Sequence, residues 1–303
     1  MAGSLSTAPA WFDRAVAQAP EASTLALGDK QIELLVWGDA GRPGLLLLHG
    51  SMANAWWWAV IAPLLAERFR VAALSFSGMG ASAHHPPYTV AGYADEAIGA
   101  ARAAGLFASG MAPAVVGHSA GGGVAVQLAT RAGPERFGAA IIVDSAILPG
   151  GVEFGEPPGK PARVYATVED AVARYRLVPA QAIVHPFLVE WVAAKSLRPV
   201  PGGWTWSFDP ALRGTFSARA AWDLLPRIQC PLHVVNGARS SVTTPERMAL
   251  ILSQAPAGTQ VIEISGAAHH VPIDQPLALA EAIGAIADRI VRSEGLAQGE
   301  MRS

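Results

Sequence analysis

The stretch Gly117-His118-Ser119-Ala120-Gly121 lies between an apolar run at residues 112–116 and a helical pattern of small residues at 122–130. A strand that turns at once into a helix needs glycines on both sides of the serine, because a Cβ at either position would collide with neighbouring backbone. The turn lifts the Ser119 hydroxyl off the sheet edge and points the first amides of the helix at charge that forms there. The stretch is therefore typical of a nucleophile elbow.

The composition favours one large globular domain, alone or with a substantial insertion. Of the 303 residues, 51% are hydrophobic and 15% are charged, so a large core can be buried. The formal net charge of −2 gives no electrostatic argument for a nucleic acid or an anionic membrane as partner. The single cysteine, Cys230, is expected to be a buried, inert thiol. We see no secretory signal and no run of about 18 apolar residues, so a cytoplasmic protein is expected.

Short apolar runs alternate with helical patterns along most of the chain, which predicts a mostly parallel eight-stranded sheet flanked by helices. The alternation stops after the sixth strand, where residues 149–226 are rich in Pro, Gly and aromatic residues. We expect a helical lid there, a loosely held N-terminal arm at 1–22, and a core at 23–148 and 227–295. The predicted strands are residues 24–27, 31–37, 45–48, 71–75, 112–116, 138–143, 232–236 and 260–264; the predicted helices are 56–67, 90–104, 122–130, 168–176, 187–196, 245–253 and 274–292.

Four motifs, taken together, resemble those of the α/β-hydrolase fold family, in the order and at the spacing of that family. The resemblance covers residues 31–290 and implies an α/β-hydrolase fold with a lid inserted after strand six and no cofactor. Residues 174–181 and 204–210 further resemble a bacterial subgroup of uncharacterised hydrolases. The motifs are Leu48-His49-Gly50-Ser51, Ser77-Gly78-Met79-Gly80-Ala81-Ser82, the elbow, and Gly266-Ala267-Ala268-His269 followed by Asp274-Gln275-Pro276.

Ser119 is the expected nucleophile, and it needs a base because a hydroxyl is weak until its proton is removed. The order nucleophile, acid, histidine predicts this base near the C-terminal end, where His269 and His270 both lie. In the family the catalytic histidine stands five positions before the acid of the closing motif; counted from Asp274, the resemblance implies His269. His270 is expected to pack against the loop or lid. No metal site is expected, because no Cys or carboxylate accompanies the two histidines at metal-site spacing.

The position of the acid departs from the commonest family pattern, which places an Asp in the loop after the seventh strand. Here that loop reads Gly237-Ala238-Arg239-Ser240-Ser241-Val242 and contains no carboxylate. Some relatives, including haloalkane dehalogenases and a zearalenone-lactonase-like group, carry the acid after the sixth strand. The resemblance then implies Asp144 as the acid, with Ser241 or a water-linked group as the open alternative.

The oxyanion hole is expected to use the backbone N–H groups of Ala120 and Ser51, with Met52 as the alternative to Ser51.

Seven aromatic side chains lie between residues 187 and 222, and three tryptophans lie at 56–58, so a bulky apolar or aromatic substrate is expected. The expected substrate-binding residues are Met52, Trp57, His118, Phe187, Trp191 and His270.

A serine nucleophile favours chemistry through an acyl-enzyme. The leading expectation is a serine hydrolase of esterase or lactonase type, whose partner is a small hydrophobic ester or lactone; no oligomeric state is predicted. Hydrolysis of a C–C bond beside a carbonyl, or acyl transfer, would use the same residues, with Arg174, Arg176 or Gln181 holding a polar substrate. A non-catalytic ligand receptor on a hydrolase fold is the alternative of a different class.

Overall fold

The protein contains one eight-stranded sheet and a separate two-stranded hairpin. The computed structural model describes residues 8–149, 163–212 and 219–300. The strands are β1 Glu21–Leu27, β2 Lys30–Trp37, β3 Gly44–Leu48, β4 Arg70–Leu74, β5 Ala114–His118, β6 Ala139–Val143, β7 Leu197–Val200, β8 Gly203–Trp206, β9 Leu232–Gly237 and β10 Gln260–Ile264. The large sheet has the order β1-β2-β4-β3-β5-β6-β9-β10. Only β2 runs against its neighbours, so the prediction of a mostly parallel eight-stranded sheet is confirmed.

Helices cover both faces of this sheet, which explains why its central strands are apolar along their whole length. β3, β5 and β6 are buried at every position, as expected for parallel strands covered on both sides. Successive side chains of β3 point to opposite faces. Leu45 and Leu47 pack in the layer of the helices at 62–66 and 276–300, and Leu46 and Leu48 pack in the layer of the helices at 90–103 and 120–129. The helices are α1 Ala10–Ala17, α2 Ala62–Ala66, α3 Val90–Ala103, α4 Ala120–Ala129, α5 Val168–Val172, α6 Pro186–Ala194, α7 Arg219–Trp222, α8 Pro245–Gln254, α9 Val271–Asp274 and α10 Pro276–Glu300.

Two helices predicted as continuous are interrupted in the structure. The predicted helix at 56–67 is a 3-10 turn, Ala55–Trp58, followed by α2. The predicted helix at 274–292 is the short α9 followed by α10, which begins at Pro276. Proline has no N–H to donate and disfavours helical backbone in the residue before it, and Gln275 accordingly has an extended φ of −141°.

The N-terminal region contains a packed helix, so the prediction of a loosely held arm at 1–22 is wrong for the part of that region that the structure describes. In α1, Phe12 and Ala15 are buried, and the Phe12 ring lies 5.0 Å from the Phe187 ring of α6. Residues 1–7 lie outside the described residues. The Ala/Pro/Ser-rich composition concealed this helix, because its apolar face consists of few side chains.

The described part of the chain between β6 and β9 lies outside the large sheet and contains α5, α6, α7, β7 and β8. This part of the chain, which includes the segment 149–226 expected to form a lid, is called the insertion below. The β7–β8 hairpin was not predicted, because prolines and glycines interrupt its apolar alternation. The backbone N–H of Asp209 donates to the Gly78 carbonyl at 2.7 Å, and its carboxylate accepts from the Tyr88 hydroxyl at 2.5 Å. These bonds attach the insertion to the loop that follows β4.

Two further expectations concern the thiol and the membrane. Cys230 is half-buried and free, and burial raises the pKa of its thiol to about 11, which keeps it protonated at neutral pH. Among the described residues, no helix combines the length and the apolar character needed to span a bilayer.

Candidate active site

The elbow serine has the strained backbone that its sequence context predicts. Ser119 joins β5 to α4 with φ 53° and ψ −119°, a conformation that is rare for a residue with a side chain. A Cβ on Gly117 would lie 2.2 Å from the Gly121 carbonyl oxygen, and one on Gly121 would lie 2.6 Å from the His49 carbonyl oxygen. Neither position can therefore carry a larger residue without moving the backbone.

Three side chains from separate strand ends meet beside this turn. His269 Nε2 lies 3.2 Å from Ser119 Oγ, and His269 Nδ1 lies 2.9 Å from Asp144 Oδ1. A carboxylate can only accept a hydrogen bond, so the tautomer that satisfies both contacts carries its proton on Nδ1 and has a lone pair on Nε2. That lone pair is directed at the serine hydroxyl, which is the arrangement of a nucleophile with its base and an orienting acid.

The Asp144 carboxylate is fully buried and accepts four hydrogen bonds. Besides His269, the donors are Ser240 Oγ at 2.7 Å, Thr243 Oγ1 at 3.0 Å and the Gly237 N–H at 2.9 Å. Three of the four donors come from the end of β9 and the loop after it, where the commonest family pattern would place the acid. Sequence reasoning missed this supporting role; the available signal was a loop rich in hydroxyl residues opposite a buried Asp.

The open alternative for the acid, Ser241, lies in the same loop with its side chain exposed. Its backbone carbonyl accepts from Arg247 Nη1 at 3.4 Å. The contacts of the described residues thus bring Asp144, rather than Ser241, to His269.

A second carboxylate holds the loop that carries His269. Asp274 accepts the Ala268 N–H at 2.8 Å and the Gln181 side-chain amide at 2.8 Å to each oxygen. Gln181 Oε1 in turn accepts the His270 N–H at 3.1 Å. Burial raises the pKa of Asp274. Gln181, which was considered as a polar substrate contact, therefore connects the insertion to the histidine loop.

His49 holds the loop that follows β3. Its Nδ1–H donates to the Gly50 carbonyl at 2.7 Å and its Nε2 accepts the Phe76 N–H at 3.1 Å. Burial lowers the pKa of His49 to about 4, although the Gly50 carbonyl opposes the shift. A Cβ on Gly50 would lie 3.1 Å from Ser119 Cβ, so this loop lies against the nucleophile position.

Of the two expected oxyanion donors, Ala120 follows Ser119 along the chain and Ser51 lies beside the same cavity as Ser119. Ala120 is the first residue of α4, and Ser51 lines the small cavity beside Ser119. Met52, with a positive φ of 56°, turns the chain at this point. The backbone of both segments is therefore near the hydroxyl, as an oxyanion hole requires.

His118 and His270 are neutral imidazoles packed beside His269. Burial, with a smaller contribution from the nearby His269, lowers the pKa of His118 to about 3 and that of His270 to about 2. His118 Nε2 donates to the His269 carbonyl at 2.9 Å. His118 Nδ1 and both ring nitrogens of His270 are buried, and none makes a hydrogen bond of normal geometry to a described residue. The nearby Pro179 carbonyl opposes the lowering of the His270 pKa.

Two cavities that share lining residues lie near Ser119. The smaller, about 30 Å³, is lined by Ser119, His269 and the loop after β3. The larger, about 620 Å³, lies under the insertion and is lined by Tyr175, Leu177, Trp206 and Phe208, with Arg174 and Arg176 at its exposed side. The residues that line both are Ser51, Met52, Trp57, Val178 and His270.

Two expected pocket residues have other contacts. Phe187 and Trp191 pack against Phe12 of α1, and neither is among the described residues that line the two cavities. Their placement corrects the expectation that they bind substrate there: α6 turns these rings toward the N-terminal helix. Trp206 and Phe208 take the lining positions instead. Of the other expected residues, Met52, Trp57 and His270 line both cavities and His118 lines the smaller one.

With this geometry in view, comparisons with known proteins define the class of protein. A model of the Alpha/beta hydrolase family matches residues 45–282, and the chain therefore belongs to this family. Family membership indicates a hydrolase with a small-molecule substrate, and it agrees with the resemblance drawn from the four motifs.

Individual similar proteins include two solved structures and one sequence relative. The thioesterase domain from the curacin biosynthetic pathway has a TM-score of 0.70 and 24% identity, covering 88% of this chain and 99% of that one. An esterase from Mycobacterium tuberculosis has a TM-score of 0.69 and 21% identity, covering 94% and 99%. A serine hydrolase-like protein from Mus musculus is 40% identical over 63 residues, which are 21% of this chain and 20% of the mouse protein.

The buried imidazoles predict that the protein loses stability in mild acid. In the folded protein the pKa values of His49, His118 and His270 are about 4, 3 and 2, so these residues stay neutral in mild acid. In the unfolded chain the same residues take up protons below about pH 6.5. Each contributes at most about 1.4 kcal/mol per pH unit, so the free energy of unfolding should fall by up to about 4 kcal/mol for each unit below pH 6. Urea unfolding at pH 7.5, 6.0 and 5.0 measures the slope, and His270→Gln should flatten it. Equal stability from pH 7.5 to 5.0 would contradict the buried neutral state.

Proposed function

We propose that the protein is a serine hydrolase that cleaves a carboxylic ester or lactone with a hydrophobic or aromatic group, through an acyl-enzyme intermediate. The observation that carries this proposal is the unbroken path of contacts from Ser119 Oγ through His269 to the Asp144 carboxylate. Family membership supports the hydrolase class, and the residues around Ser119 supply the specific chemistry.

The first half of the reaction acylates the enzyme. Ser119 Oγ attacks the substrate carbonyl carbon while His269 Nε2 takes the hydroxyl proton. The backbone N–H groups of Ala120 and Ser51 stabilise the negative charge on the carbonyl oxygen. When the tetrahedral intermediate collapses, the alcohol oxygen leaves with the proton from His269, and the acyl group remains on Ser119.

The second half releases the acid. A water molecule gives a proton to His269 Nε2 and attacks the acyl carbon, and Ser119 Oγ regains its proton as it leaves. Asp144 stays ionised throughout, keeps the Nδ1 proton of His269 in place and stabilises the imidazolium that forms in each half. With a lactone, the hydroxyl and the carboxyl group of the product belong to one molecule.

The insertion at 149–226 is proposed to act as the lid of this site. Its residues Tyr175, Leu177, Trp206 and Phe208 form the wall of the larger cavity, while Gln181 connects it to the loop of His269. Burying the apolar part of a substrate against these side chains contributes binding energy in proportion to the area covered.

Hydrolysis of a C–C bond beside a carbonyl is a second candidate, supported by Arg174 and Arg176. Both line the exposed side of the cavity, and no carboxylate is among its described lining residues. A diketone or dienol with an acidic group could pair with these guanidinium groups. Direct comparison of a diketone panel with an ester panel, using product analysis, separates the two reactions.

Covalent labelling tests the nucleophile assignment and separates an enzyme from a ligand receptor. A fluorophosphonate should phosphonylate Ser119 at neutral pH, because an activated serine beside a base attacks such reagents and an ordinary serine does not. Intact-mass and peptide analysis should locate one adduct on Ser119 and none in Ser119→Ala. An unlabelled folded protein, or an adduct on another residue, would refute the assignment.

The acid assignment predicts a large kinetic effect at Asp144. Asp144→Asn should lower kcat by about 10⁴-fold, since the amide favours the wrong tautomer of His269. Ser240→Ala, which removes one of the four bonds to the carboxylate, should have a much smaller effect. Ser241→Ala is the matched control, because its hydroxyl is in the same loop but exposed, and it should keep wild-type kcat. Circular dichroism and urea unfolding establish that each variant is folded; nearly normal turnover in folded Asp144→Asn would place the acid elsewhere.

The size of the larger cavity predicts a preference for bulky acyl groups. Between acetate and hexanoate esters of one alcohol, kcat/KM should rise at least about tenfold, because a methylene in an enclosed apolar pocket contributes roughly 1–3 kcal/mol. Phe208→Ala should reduce this gain without a comparable loss on acetate. Phe107→Ala is the matched control: it is also half-buried but packs against Phe137. A rate independent of acyl length would show that these aromatic residues do not enclose the substrate.

A further inference from the structure

Three buried histidines form a cluster that the proposed reaction uses only in part. His118, His269 and His270 each place a ring nitrogen so that the three atoms lie within 4.8 Å of one another. All three residues are at most 4% exposed. The reaction requires the lone pair of His269 Nε2, but it assigns no step to His118 Nδ1 or to either ring nitrogen of His270.

The ring nitrogens that the reaction does not use are buried, and buried nitrogens are expected to have hydrogen-bond partners. His118 Nδ1 and both nitrogens of His270 are buried, and none makes a hydrogen bond of normal geometry to a described residue. The Pro179 carbonyl lies close enough to the His270 ring to oppose the lowering of its pKa, and this contact involves only one of the two ring nitrogens. A buried polar atom without a partner costs about 1–3 kcal/mol, so native proteins rarely retain one without a use. Burial lowers the pKa of both residues, to about 3 and about 2, and neutral imidazoles keep the lone pair that a metal ion needs.

We propose that His118, His269 and His270 bind one divalent transition-metal ion of the zinc class, each through one ring nitrogen, with a fourth position open to the cavity. Imidazole suits Zn²⁺, Cu²⁺, Ni²⁺ and Co²⁺, whereas Mg²⁺ and Ca²⁺ prefer oxygen ligands. Metal binding would be a second use of the site. It differs from the expectation from sequence spacing, which was that these histidines bind no metal.

The surroundings of the cluster fit such an ion. His269 donates its other nitrogen to Asp144, which is the carboxylate–histidine arrangement that orients metal-binding imidazoles. The small cavity of about 30 Å³ borders all three rings. Tetrahedral bonds of about 2.0–2.1 Å place ligand nitrogens roughly 3.4 Å apart. Because the three ring atoms lie within 4.8 Å of one another, they must approach by up to about 1.4 Å. His270 can move without breaking a side-chain hydrogen bond of normal geometry, although its ring would leave the nearby Pro179 carbonyl.

Metal binding would have a direct consequence for catalysis, and this consequence alone rests on the proposed function. An ion on His269 Nε2 occupies the lone pair that takes the proton from Ser119. The metal-bound protein should therefore be inactive, and a chelator should restore its activity. Binding itself requires only the three imidazoles.

The experiment measures binding and reactivity separately on the full chain without an affinity tag. Competition with a chromogenic chelator should give one Zn²⁺ per chain, and Co²⁺ should give the strong visible absorption of a tetrahedral site. His270→Gln and His118→Gln should each weaken Zn²⁺ binding more than about tenfold, the scale at which even outer-shell changes act. His233→Gln is the matched control, because His233 Nδ1 is also buried without a partner but lies on β9. His85→Gln, which removes an exposed His–Asp pair, controls for surface binding.

Fluorophosphonate labelling, with and without Zn²⁺, separates this inference from the proposed function. Stoichiometric binding that depends on His118 and His270, with protection of Ser119 from labelling, supports both. If Zn²⁺ binds in the same way but fluorophosphonate labels Ser119 neither with nor without Zn²⁺, the metal site is supported and the hydrolase assignment is refuted. Absence of stoichiometric Zn²⁺ binding and of a tetrahedral Co²⁺ spectrum in the wild type would overturn the metal site, as would binding lost in His85→Gln but retained in His118→Gln and His270→Gln.

Discussion

The buried carboxylate of Asp144 imposes the constraint on which the rest of the site depends. An ionised carboxylate without water is stable only when hydrogen bonds replace its hydration. Here four donors do so, and they come from His269, from the end of β9 and from two hydroxyls of the loop after it. Because the donors come from two separate parts of the chain, the end of β9 with its loop and the loop of His269, one buried charge at the end of β6 positions both loops together.

Two strained turns lie side by side at the carboxyl ends of β5 and β6. Ser119 and Asp144 both have a positive φ, 53° and 44°, and such conformations persist only where the surroundings hold them. The Ser119 N–H donates to the Val143 carbonyl at 2.9 Å, so the two turns support each other directly. Parallel strands end at the same edge of a sheet, and the two strained turns there raise both side chains toward one imidazole.

The insertion is connected to this edge through polar contacts as well as apolar packing. Gln181 bonds both to the Asp274 carboxylate and to the backbone beside His269, and Asp209 bonds to the loop after β4. α6 packs against α1 through Phe12, Phe187 and Trp191. The insertion therefore contacts both the histidine loop and the N-terminal helix, so these three parts of the molecule position one another.

The sequence by itself predicted the sheet, the elbow serine and its histidine, because these depend on local signals and motif order. Apolar runs indicate buried strands, the glycines at 117 and 121 favour the tight turn at Ser119, and the closing motif points to His269. For the acid, the family resemblance favoured Asp144 and left Ser241 or a water-linked group open. The sequence could not determine which aromatic residues face the cavity, because nothing in the sequence distinguishes the role of Phe187 from that of Trp206. In the structure, Phe187 packs against α1, whereas Trp206 of the β7–β8 hairpin lines the cavity. Nor could spacing indicate the histidine cluster, since His118 lies 151 residues from His269 and the two meet only because β5 and the loop after β10 end at the same edge. Contacts between distant segments depend on how the sheet is ordered and covered, and this information is present only in the tertiary structure.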